Sequence, residues 1–324
     1  MKKSTELQIE NMKEQTFGVE VEMYGITRQN AAKVAAMYFG TYNYKDTAST
    51  NGYYAWSAWD GEGREWKFQR DVSINASRNT EQTELVTPIL TYSDLETLLE
   101  LLRQLRHAGA KSDPNHGCGV HIHIGVDDHT PQSLRNLANI MASHESILIS
   151  ALRIDQNRVS GYCKTVDLNF LARLNKEKPK TMEKLKDIWY ETQHPTNRDH
   201  HYNPSRYHCL NLHATFTKGT IEFRLFQFRN PSRNSKGGIH CGELKSYIQL
   251  CLALSEMAKR LKTASPKEPQ RENPKYAMRC WLLRLGFIGK EFNTARNVLT
   301  KNLDGDAAFR YGRNNSLLMV GVGQ

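Results

Sequence analysis

Three short segments of this chain carry paired polar residues, two positions apart, inside otherwise apolar runs. The segments span residues 17–23, 119–124 and 220–226, and their polar positions are Glu20, Glu22, His121, His123, Glu222 and Arg224. In a β-strand, residues i and i+2 point to the same face of the sheet. The sequence therefore predicts three strands that share an apolar back and a front of carboxylates, imidazoles and one guanidinium.

A solvated outer face is the simplest explanation for any one alternating strand. Ordinary solvated faces mix lysine, threonine, serine, glutamine and glutamate. The six positions here hold only glutamate, histidine and arginine. A front of that composition favours a site for divalent cations and a phosphate, since carboxylate oxygens are ligands that Mg²⁺ prefers and substrate phosphates often complete its shell.

The length of 324 residues allows one large domain or two smaller ones with an ample core. No run of 18 apolar residues is present, so no membrane span is expected. The lysines at the N-terminus are not followed by an apolar stretch, and no secretory signal is predicted. The six cysteines are scattered, without Cys-x-x-Cys spacing, which predicts neither a zinc knuckle nor a disulfide framework. The cytoplasm is the expected compartment.

The formal net charge of +10 favours anionic partners such as nucleotides, phosphates, nucleic acids or acidic polymers. The basic residues are spread along the chain and form no single block. No helix-turn-helix, zinc-finger or RNA-binding signature accompanies them. A nucleic-acid-binding module is therefore a weaker hypothesis than a small-molecule site.

Periodicity, caps and turn residues predict the remaining elements. Helices are predicted over residues 30–40, 93–109, 130–152, 165–193 and 239–262. Strands are predicted over 16–23, in several stretches between 51 and 87, and over 209–216 and 219–227, with a tight turn at Lys218 and Gly219. A long loop is predicted over residues 194–208, and a capping box over Ser93–Glu96.

This order of elements predicts an α+β fold, in which helices cover the apolar back of a mainly antiparallel, curved sheet. Residues 1–15 are polar and are predicted to form a loose N-terminal arm. Residues 16–265 are predicted to form the main domain. Residues 266–324 are predicted to form a proline-containing linker and a small, partly helical C-terminal extension.

An ordered set of short motifs resembles the amidoligase family. The motifs are Phe-Gly-Val-Glu-Val-Glu, Asp71-x-Ser73 followed by Thr83-Glu-Leu-Val-Thr-Pro88, Cys-Gly-Val-His-Ile-His-Ile, Asn211-Leu, and Thr-Ile-Glu-Phe-Arg-Leu-Phe. Amidoligases are COOH–NH2 ligases of the superfamily of glutamine synthetase and glutamate–cysteine ligase. The resemblance covers roughly residues 15–260 and implies a glutamine-synthetase-like catalytic fold for residues 16–265.

The resemblance implies an ATP-dependent ligase that joins a carboxylate to an amine and uses Mg²⁺ or Mn²⁺. The carboxylate would attack the γ-phosphate to give an acyl phosphate and ADP, and the amine would then displace phosphate to form an amide. The partners implied are ATP, a carboxylate substrate and an amine substrate, drawn from amino acids, peptides, proteins or peptidoglycan-like molecules.

The resemblance also implies roles for individual residues. The metal ligands it implies are Glu20, Glu22, Glu84, His121 and Glu222. Arg224 would meet the transferring phosphate, and His123 would contact phosphate or substrate. Arg206 and Asn211 fall in a segment that usually supplies nucleotide or substrate contacts. Asp71 is open to two interpretations, a site residue or a helix cap.

Two departures from the family pattern matter. The further arginine-bearing loops of glutamine synthetase have no recognisable counterpart in this chain, so its exact reaction is not transferred. Arg229 and Arg233 follow the last strand motif, where they would bind an acidic substrate group or solvate a loop.

Other clusters have two interpretations each. The histidines of the 194–208 segment would form a second metal cluster or belong to a loop that closes over the site and excludes water. Trp56, Trp59 and Trp66 would form an aromatic platform or pack in the core.

A zinc-dependent metallohydrolase is the alternative enzyme. The His-x-His pair and the glutamates could bind Zn²⁺ and activate water. Such an enzyme needs neither a nucleotide nor an arginine on the same strand face.

Overall fold

The structure is a computed structural model that describes residues 2–47, 54–230, 238–270 and 272–311. The strands are β1 Phe17–Met23, β2 Tyr44–Asp46, β3 Trp56–Trp59, β4 Glu65–Gln69, β5 Thr83–Val86, β6 Val120–Gly125, β7 Leu210–Asn211 and β8 Thr220–Phe226. The helices are α1 Lys2–Glu14, α2 Arg28–Tyr38, α3 Leu95–His107, α4 Pro131–Leu152, α5 Gln156–Gly161, α6 Leu168–Glu177, α7 Met182–Gln193, α8 His213–Thr217, α9 Cys241–Arg260, α10 Pro274–Arg284 and α11 Asn293–Thr300.

Within the described residues, all eight strands pair antiparallel in one sheet of order β2-β3-β4-β5-β1-β6-β8-β7. The three strands recognised from their alternating pattern, β1, β6 and β8, lie side by side. The mixed α+β class with an antiparallel sheet is therefore confirmed.

The back of the sheet is apolar, as the alternation predicts. Val19, Val21, Val120, Ile122 and Phe223 are each 1% exposed or less. Helix α9 packs against β6 on this back, α4 and α3 pack against α9, and α2 packs against β3 and β4. Burial on one face thus leaves the front as the face where polar groups gather.

The prediction of a loose arm over residues 1–15 is wrong. Residues 2–14 form α1, which packs along α9. The Met12 side chain is buried, Gln15 donates to the Leu252 carbonyl at 2.9 Å, and Gln8 donates to the Arg284 carbonyl at 3.0 Å. The segment has few apolar residues of its own, so tertiary contacts stabilise the helix and its local pattern does not.

The prediction of a strand over residues 209–216 is also wrong. Strand β7 spans only Leu210–Asn211, and helix α8 follows directly. The Asn211 side-chain oxygen accepts the His213 backbone N–H at 2.9 Å, and His213 Nδ1 lies 2.6 Å from the Tyr190 hydroxyl. A side chain that bonds its own backbone two residues on turns the chain out of the strand.

Two boundaries differ locally from the prediction. The helical stretch 165–193 divides into α6 and α7, because Lys178 precedes Pro179 and takes a left-handed conformation (φ 47°) that ends α6. The capping box lies earlier than predicted, between Thr91 and Asp94.

Helices α10 and α11 follow the proline-containing stretch after α9, and α11 packs against α9 and α4. The domain boundaries drawn from the sequence stay a prediction. Among the described residues, no helix combines the length and the apolar character that a membrane crossing requires.

Glu145 gives the fold a pH dependence that can be measured. It is 2% exposed on α4, and its Oε2 accepts the Val166 N–H at 2.9 Å. Its Oε1 has no hydrogen-bond partner within the described ranges. Burial raises the pKa of Glu145 from its ordinary 4.5 to about 7, and Cys163 adds to the shift. The folded state therefore holds this proton more tightly than the unfolded state, and the stabilisation is lost as pH rises from about 4.5 through 7.

We expect the free energy of unfolding to fall by about 3 kcal/mol across that window because of Glu145 alone. The Glu145→Gln variant should lose this part of the pH dependence, measured as urea unfolding at pH 5 and pH 8. An identical pH dependence in the variant would contradict the assignment.

Candidate active site

The strand register sets the polar groups of the front face opposite one another. The pairs are Glu22 with Glu84, Glu20 with His121, and His123 with Glu222. Directly opposed residues in an antiparallel pair have Cβ atoms about 4.5–5.5 Å apart. We call Glu20, Glu22, Glu84, His121, His123, Glu222 and Arg224 the polar face.

Two groups within the polar face could each hold a cation. Glu20, His121 and Glu222 offer one ligand atom each, and these atoms lie within 4.8 Å of one another. Glu22, Glu84 and His121 form the second group by the same measure. All five residues predicted as metal ligands thus converge, with His121 common to both groups.

The opposed pair Glu22 and Glu84 brings two carboxyl groups together inside the polar face. Both side chains are buried, at 4% and 5% exposure. Burial, together with the negative charges of Glu20, Asp71 and Glu22, raises the pKa of Glu84 well above its usual value. Like charges directly opposite on neighbouring strands destabilise a sheet, so a bound cation would relieve this pair.

Two neighbouring groups fix these two carboxylates. The Gly119 backbone N–H donates a short hydrogen bond to Glu22 Oε2. Gln69 on β4 donates to Glu84 Oε2 at 2.7 Å. Each carboxylate keeps one oxygen directed to the rest of the polar face.

Glu20 has three cationic or potentially cationic neighbours. His121 Nδ1 lies 3.0 Å from its Oε2, His123 Nε2 lies 3.2 Å from its Oε1, and Lys218 Nζ lies 3.6 Å from the same Oε1. Burial opposes ionisation, but His123, His121 and Lys218 together hold the pKa of Glu20 well below its usual value. Glu20 is therefore a carboxylate at neutral pH.

Glu222 is held on both oxygens. Arg224 Nη1 donates to Oε1 and Asn211 Nδ2 donates to Oε2, each at 2.6 Å. Burial opposes ionisation, but the Arg224 charge and the neighbouring His123 hold the pKa of Glu222 well below its usual value. Asn211 supports Glu222 from the edge strand β7, and its predicted role as a nucleotide or substrate contact stays a prediction.

A register shift between β6 and β8 sets the position of Arg224. Val120 faces Phe226 and Ile122 faces Phe223, so Arg224 and Leu225 lie opposite the single residue His121. Bulges of this kind re-aim side chains next to active sites. Arg224 is 5% exposed, and its Nε has no hydrogen-bond partner in the part of the chain that the structure describes. Its guanidinium carbon lies 5.8 Å from the centre of the Tyr207 ring.

Two cavities open onto the polar face, one toward each end of the strands. The larger pocket has a volume of about 750 Å³ and is lined by Glu20, Glu84, Arg70, Arg206, His121 and Arg224, among others. The smaller pocket has a volume of about 360 Å³, and its lining includes Gly18, Thr87, Pro88, Ile89, His123 and Thr220. Glu20, Val86 and Lys218 line both pockets, so the two cavities meet beside Glu20.

Lys218 is a candidate functional residue that the sequence pattern did not reveal. The sequence predicts it only as part of a tight turn before β8. Its ammonium group stands beside Glu20 where the two pockets meet. Gln69 was also missed, although the alternation of β4 would have placed it on the front face.

The segment 194–208 borders the larger pocket through His200, His201, Tyr202 and Arg206. Among the described residues, the histidines of this segment form no group that could hold a metal ion. The interpretation as a second metal cluster finds no support, and the interpretation as a covering loop stays a prediction. Arg206 lies in the wall of the pocket that Glu20, Glu84 and His121 also line.

The other open interpretations have different outcomes. Asp71 accepts the Ser73 N–H at 2.7 Å in a turn from which no helix starts, so its interpretation as a helix cap is wrong. Asp71 also lines the larger pocket, and its role as a site residue stays a prediction. Trp66 is fully buried in the core. Arg229 pairs with Glu243, its Nε 2.6 Å from Oε1, and Arg233 lies outside the described residues.

The fold and the polar face together define an α+β protein whose antiparallel sheet presents buried carboxylates and imidazoles that could hold cations, next to an arginine. The family model described as "Putative amidoligase enzyme" matches residues 13–255, and the chain belongs to that family. Membership supports an enzyme of the ligase class that joins a carboxylate to an amine, and it agrees with the resemblance found in the motifs.

One similar solved structure is the crystal structure of a bifunctional glutathione synthetase from Pasteurella multocida. The sequence identity is 15% and the TM-score is 0.44, over 92% of this chain and 48% of that chain. The chain thus spans about half the length of that protein. No curated protein matches the chain.

Proposed function

We propose that the protein is an ATP- and Mg²⁺-dependent carboxylate–amine ligase that forms an amide or isopeptide bond through an acyl phosphate, on a glutamine-synthetase-like catalytic fold. The observation that carries the proposal is the pair of cation-binding groups joined at His121 and flanked by the buried Arg224. Two bound cations and one guanidinium would balance the negative charge of a nucleoside triphosphate. Family membership supports the same reaction class.

The composition of the two groups favours a hard cation. Each group contains two carboxylates and one imidazole, and neither contains His123. Oxygen-rich sets suit Mg²⁺ or Mn²⁺, whereas catalytic zinc sites commonly use two or three histidine or cysteine ligands. The zinc hydrolase is therefore the weaker candidate, and it leaves Arg224 without a role.

The two pockets suit the two kinds of substrate. The smaller pocket is lined largely by backbone and apolar groups, such as those of Gly18, Pro88 and Ile89, which suit a nucleoside. Its inner end reaches His123 and Lys218, which would contact the phosphates. The larger, more polar pocket would hold the carboxylate substrate on the far side of Glu20.

In the proposed reaction, the substrate carboxylate attacks the γ-phosphorus, the bond to the β-phosphate oxygen breaks, and ADP leaves. The amine then attacks the acyl carbon and inorganic phosphate leaves with the carboxylate oxygen. The cations held by the five ligands would neutralise phosphate charge. Arg224 would stabilise the negative charge on the transferred phosphoryl group in both steps. The dependence of the proposed reaction on ATP agrees with the cytoplasm, the compartment expected from the sequence.

The direct test is calorimetric binding of a non-hydrolysable ATP analogue with Mg²⁺ and then with EDTA. We expect binding that depends on Mg²⁺ or Mn²⁺. Zinc retained through purification, together with no affinity for the nucleotide in any metal, would overturn the proposal in favour of the hydrolase.

A substitution at Gly18 tests where the nucleoside binds. A Cβ at this position would meet its nearest neighbours, His123 Cβ and Thr87 Oγ1, at 3.8 Å, which is ordinary contact. Gly18→Val should therefore fold and fill the floor of the smaller pocket. We expect nucleotide affinity to fall by about tenfold or more, a loss of about 1.4 kcal/mol.

The matched control is Gly61→Val in an exposed turn, where an added Cβ meets nothing within 4 Å. Equal nucleotide affinities in both variants would place the nucleoside outside the smaller pocket.

A further inference from the structure

Two arginines in the wall of the larger pocket lack a carboxylate partner. Arg70 and Arg206 both line this pocket. No carboxylate in the described part of the chain forms an ion pair with either guanidinium, whereas Arg224 pairs with Glu222 and Lys218 lies near Glu20. Asp71, Glu20 and Glu84 also line the pocket, but among the described residues none of them forms an ion pair with Arg70 or Arg206. These two guanidiniums are therefore available to an anionic ligand.

Arg206 is held in one orientation by its neighbours. Its guanidinium lies 5.6 Å from the centre of the Tyr202 ring and 5.8 Å from that of Tyr207, and its Nη1 donates to the His201 carbonyl at 3.2 Å. Its Nε is buried and has no hydrogen-bond partner among the described residues. Because a buried donor without a partner is unfavourable, this group is suited to a ligand oxygen.

Arg70 is oriented by a different segment of the chain, the one that contains Gln82. Its Nε donates to the Gln82 side-chain oxygen at 2.8 Å. Gln82 is itself fixed, because its side chain donates to the Ile74 carbonyl and its backbone carbonyl accepts from Arg28, both at 2.9 Å. The Arg70 guanidinium is therefore anchored at Nε by the protein.

The placement of these arginines separates them from the nucleotide pocket. Neither lines the smaller pocket, where His123 and Lys218 are the groups in reach of the phosphates. The Tyr207 ring lies 5.8 Å from both the Arg206 and the Arg224 guanidinium carbons. Arg206 thus stands one aromatic ring away from the arginine assigned to the transferring phosphate.

We propose that the larger pocket selects a carboxylate substrate that carries a second anionic group, a carboxylate, bound by Arg206 and Arg70. The proposal rests on the proposed ligase function and names its substrate class. A guanidinium with a fixed fork binds a carboxylate through two parallel hydrogen bonds. Tyr207 is a positioning residue, because its ring holds the Arg206 guanidinium toward the pocket.

The experiment traps the acyl phosphate with hydroxylamine, which displaces phosphate and leaves a hydroxamate. The full-length protein, MgATP and hydroxylamine are mixed with a pool of amino acids and short peptides, each present as a dicarboxylate and as its monoamide. Mass spectrometry reads the hydroxamates. We expect the dicarboxylates to react at least about tenfold better than their monoamides.

Variants assign the preference to residues. Arg206→Gln and Arg70→Gln should each raise the KM for the dicarboxylate by about tenfold or more and reduce the preference, with the affinity for the ATP analogue unchanged. Tyr207→Leu should behave like Arg206→Gln, and Tyr207→Phe should retain the preference because the ring remains. Arg173→Gln on α6, a half-buried arginine paired with Glu177 and Glu191 outside the pocket, is the matched control.

Three outcomes would overturn the inference. If monoamides react as well as dicarboxylates, the pocket does not recognise a second anionic group. The same conclusion follows if no dicarboxylate in the pool reacts although the ATP analogue binds. Loss of ATP-analogue affinity in Arg206→Gln would assign that arginine to the nucleotide. Failure of the ligase proposal is distinguishable, since the wild type would then bind no ATP analogue with Mg²⁺.

Discussion

Replacing Arg224 with glutamine is expected to lower the rate of phosphoryl transfer by about 10³-fold or more, with the protein still folded. Arginines that stabilise charge on a transferring phosphoryl group contribute about 10³–10⁵ in kcat. Arg224 suits that role because it is buried, its Nε has no protein partner, and the bulge aims it at the polar face. The measurement is ADP formation from MgATP with the carboxylate that the hydroxylamine trap identifies.

Two controls separate the chemistry from general damage. Arg224→Lys keeps the charge but loses the planar fork, so we expect a rate between those of the wild type and the glutamine variant. Arg78→Gln, an exposed arginine paired with Glu81, should leave the rate unchanged. If the glutamine variant retains more than about a tenth of the wild-type rate, Arg224 does not stabilise the transition state of phosphoryl transfer.

Replacing Glu222 with alanine is expected to destabilise the protein by about 3–5 kcal/mol and to abolish Mg²⁺-dependent nucleotide binding. The carboxylate accepts hydrogen bonds from Arg224 and Asn211, so its removal leaves a buried guanidinium without a counter-ion. The same change removes a ligand from the first cation group. Urea unfolding and calorimetric nucleotide binding measure the two effects.

A double variant keeps the two effects apart. Changing Glu222 to alanine and Arg224 to methionine removes both members of the buried pair, which commonly recovers much of the lost stability. We expect that recovery without recovery of nucleotide binding. The exposed Glu183→Ala on α7 should change stability by only about 0.5 kcal/mol. Nucleotide binding restored in the stabilised double variant would show that Glu222 holds no metal.

The sequence was sufficient to predict the central strands and their faces. In each of the strands that carry Glu20, His121 and Glu222, polar and apolar residues alternate. When one face of a sheet must be buried, this alternation decides which side chains lie on which face. The long helix α4 was equally predictable, because Thr130 and Pro131 mark its start and its length leaves no ambiguity. These features depend on residues close in sequence.

Features that depend on distant partners were not predictable. Helix α1 forms because Gln15 and Met12 meet α9, more than 200 residues later. Helix α8 replaces a predicted strand because Asn211 bonds the His213 N–H and Tyr190 reaches the His213 ring. Local propensity is too weak to decide such segments against tertiary contacts.

The candidate site also has a part that was predictable from the sequence and a part that was not. The sequence by itself determined which residue types share the polar face, since alternation fixes the face of each strand and the family motifs point to the same positions. Only the tertiary structure decided which of them meet. Register set Glu22 opposite Glu84, the bulge directed Arg224, and the turn before β8 placed Lys218 beside Glu20. The segment 194–208 brought Arg206 into the pocket wall. Pairing partners and pocket walls come from chain segments that are distant in sequence, so their contacts leave no periodic signal in either segment alone.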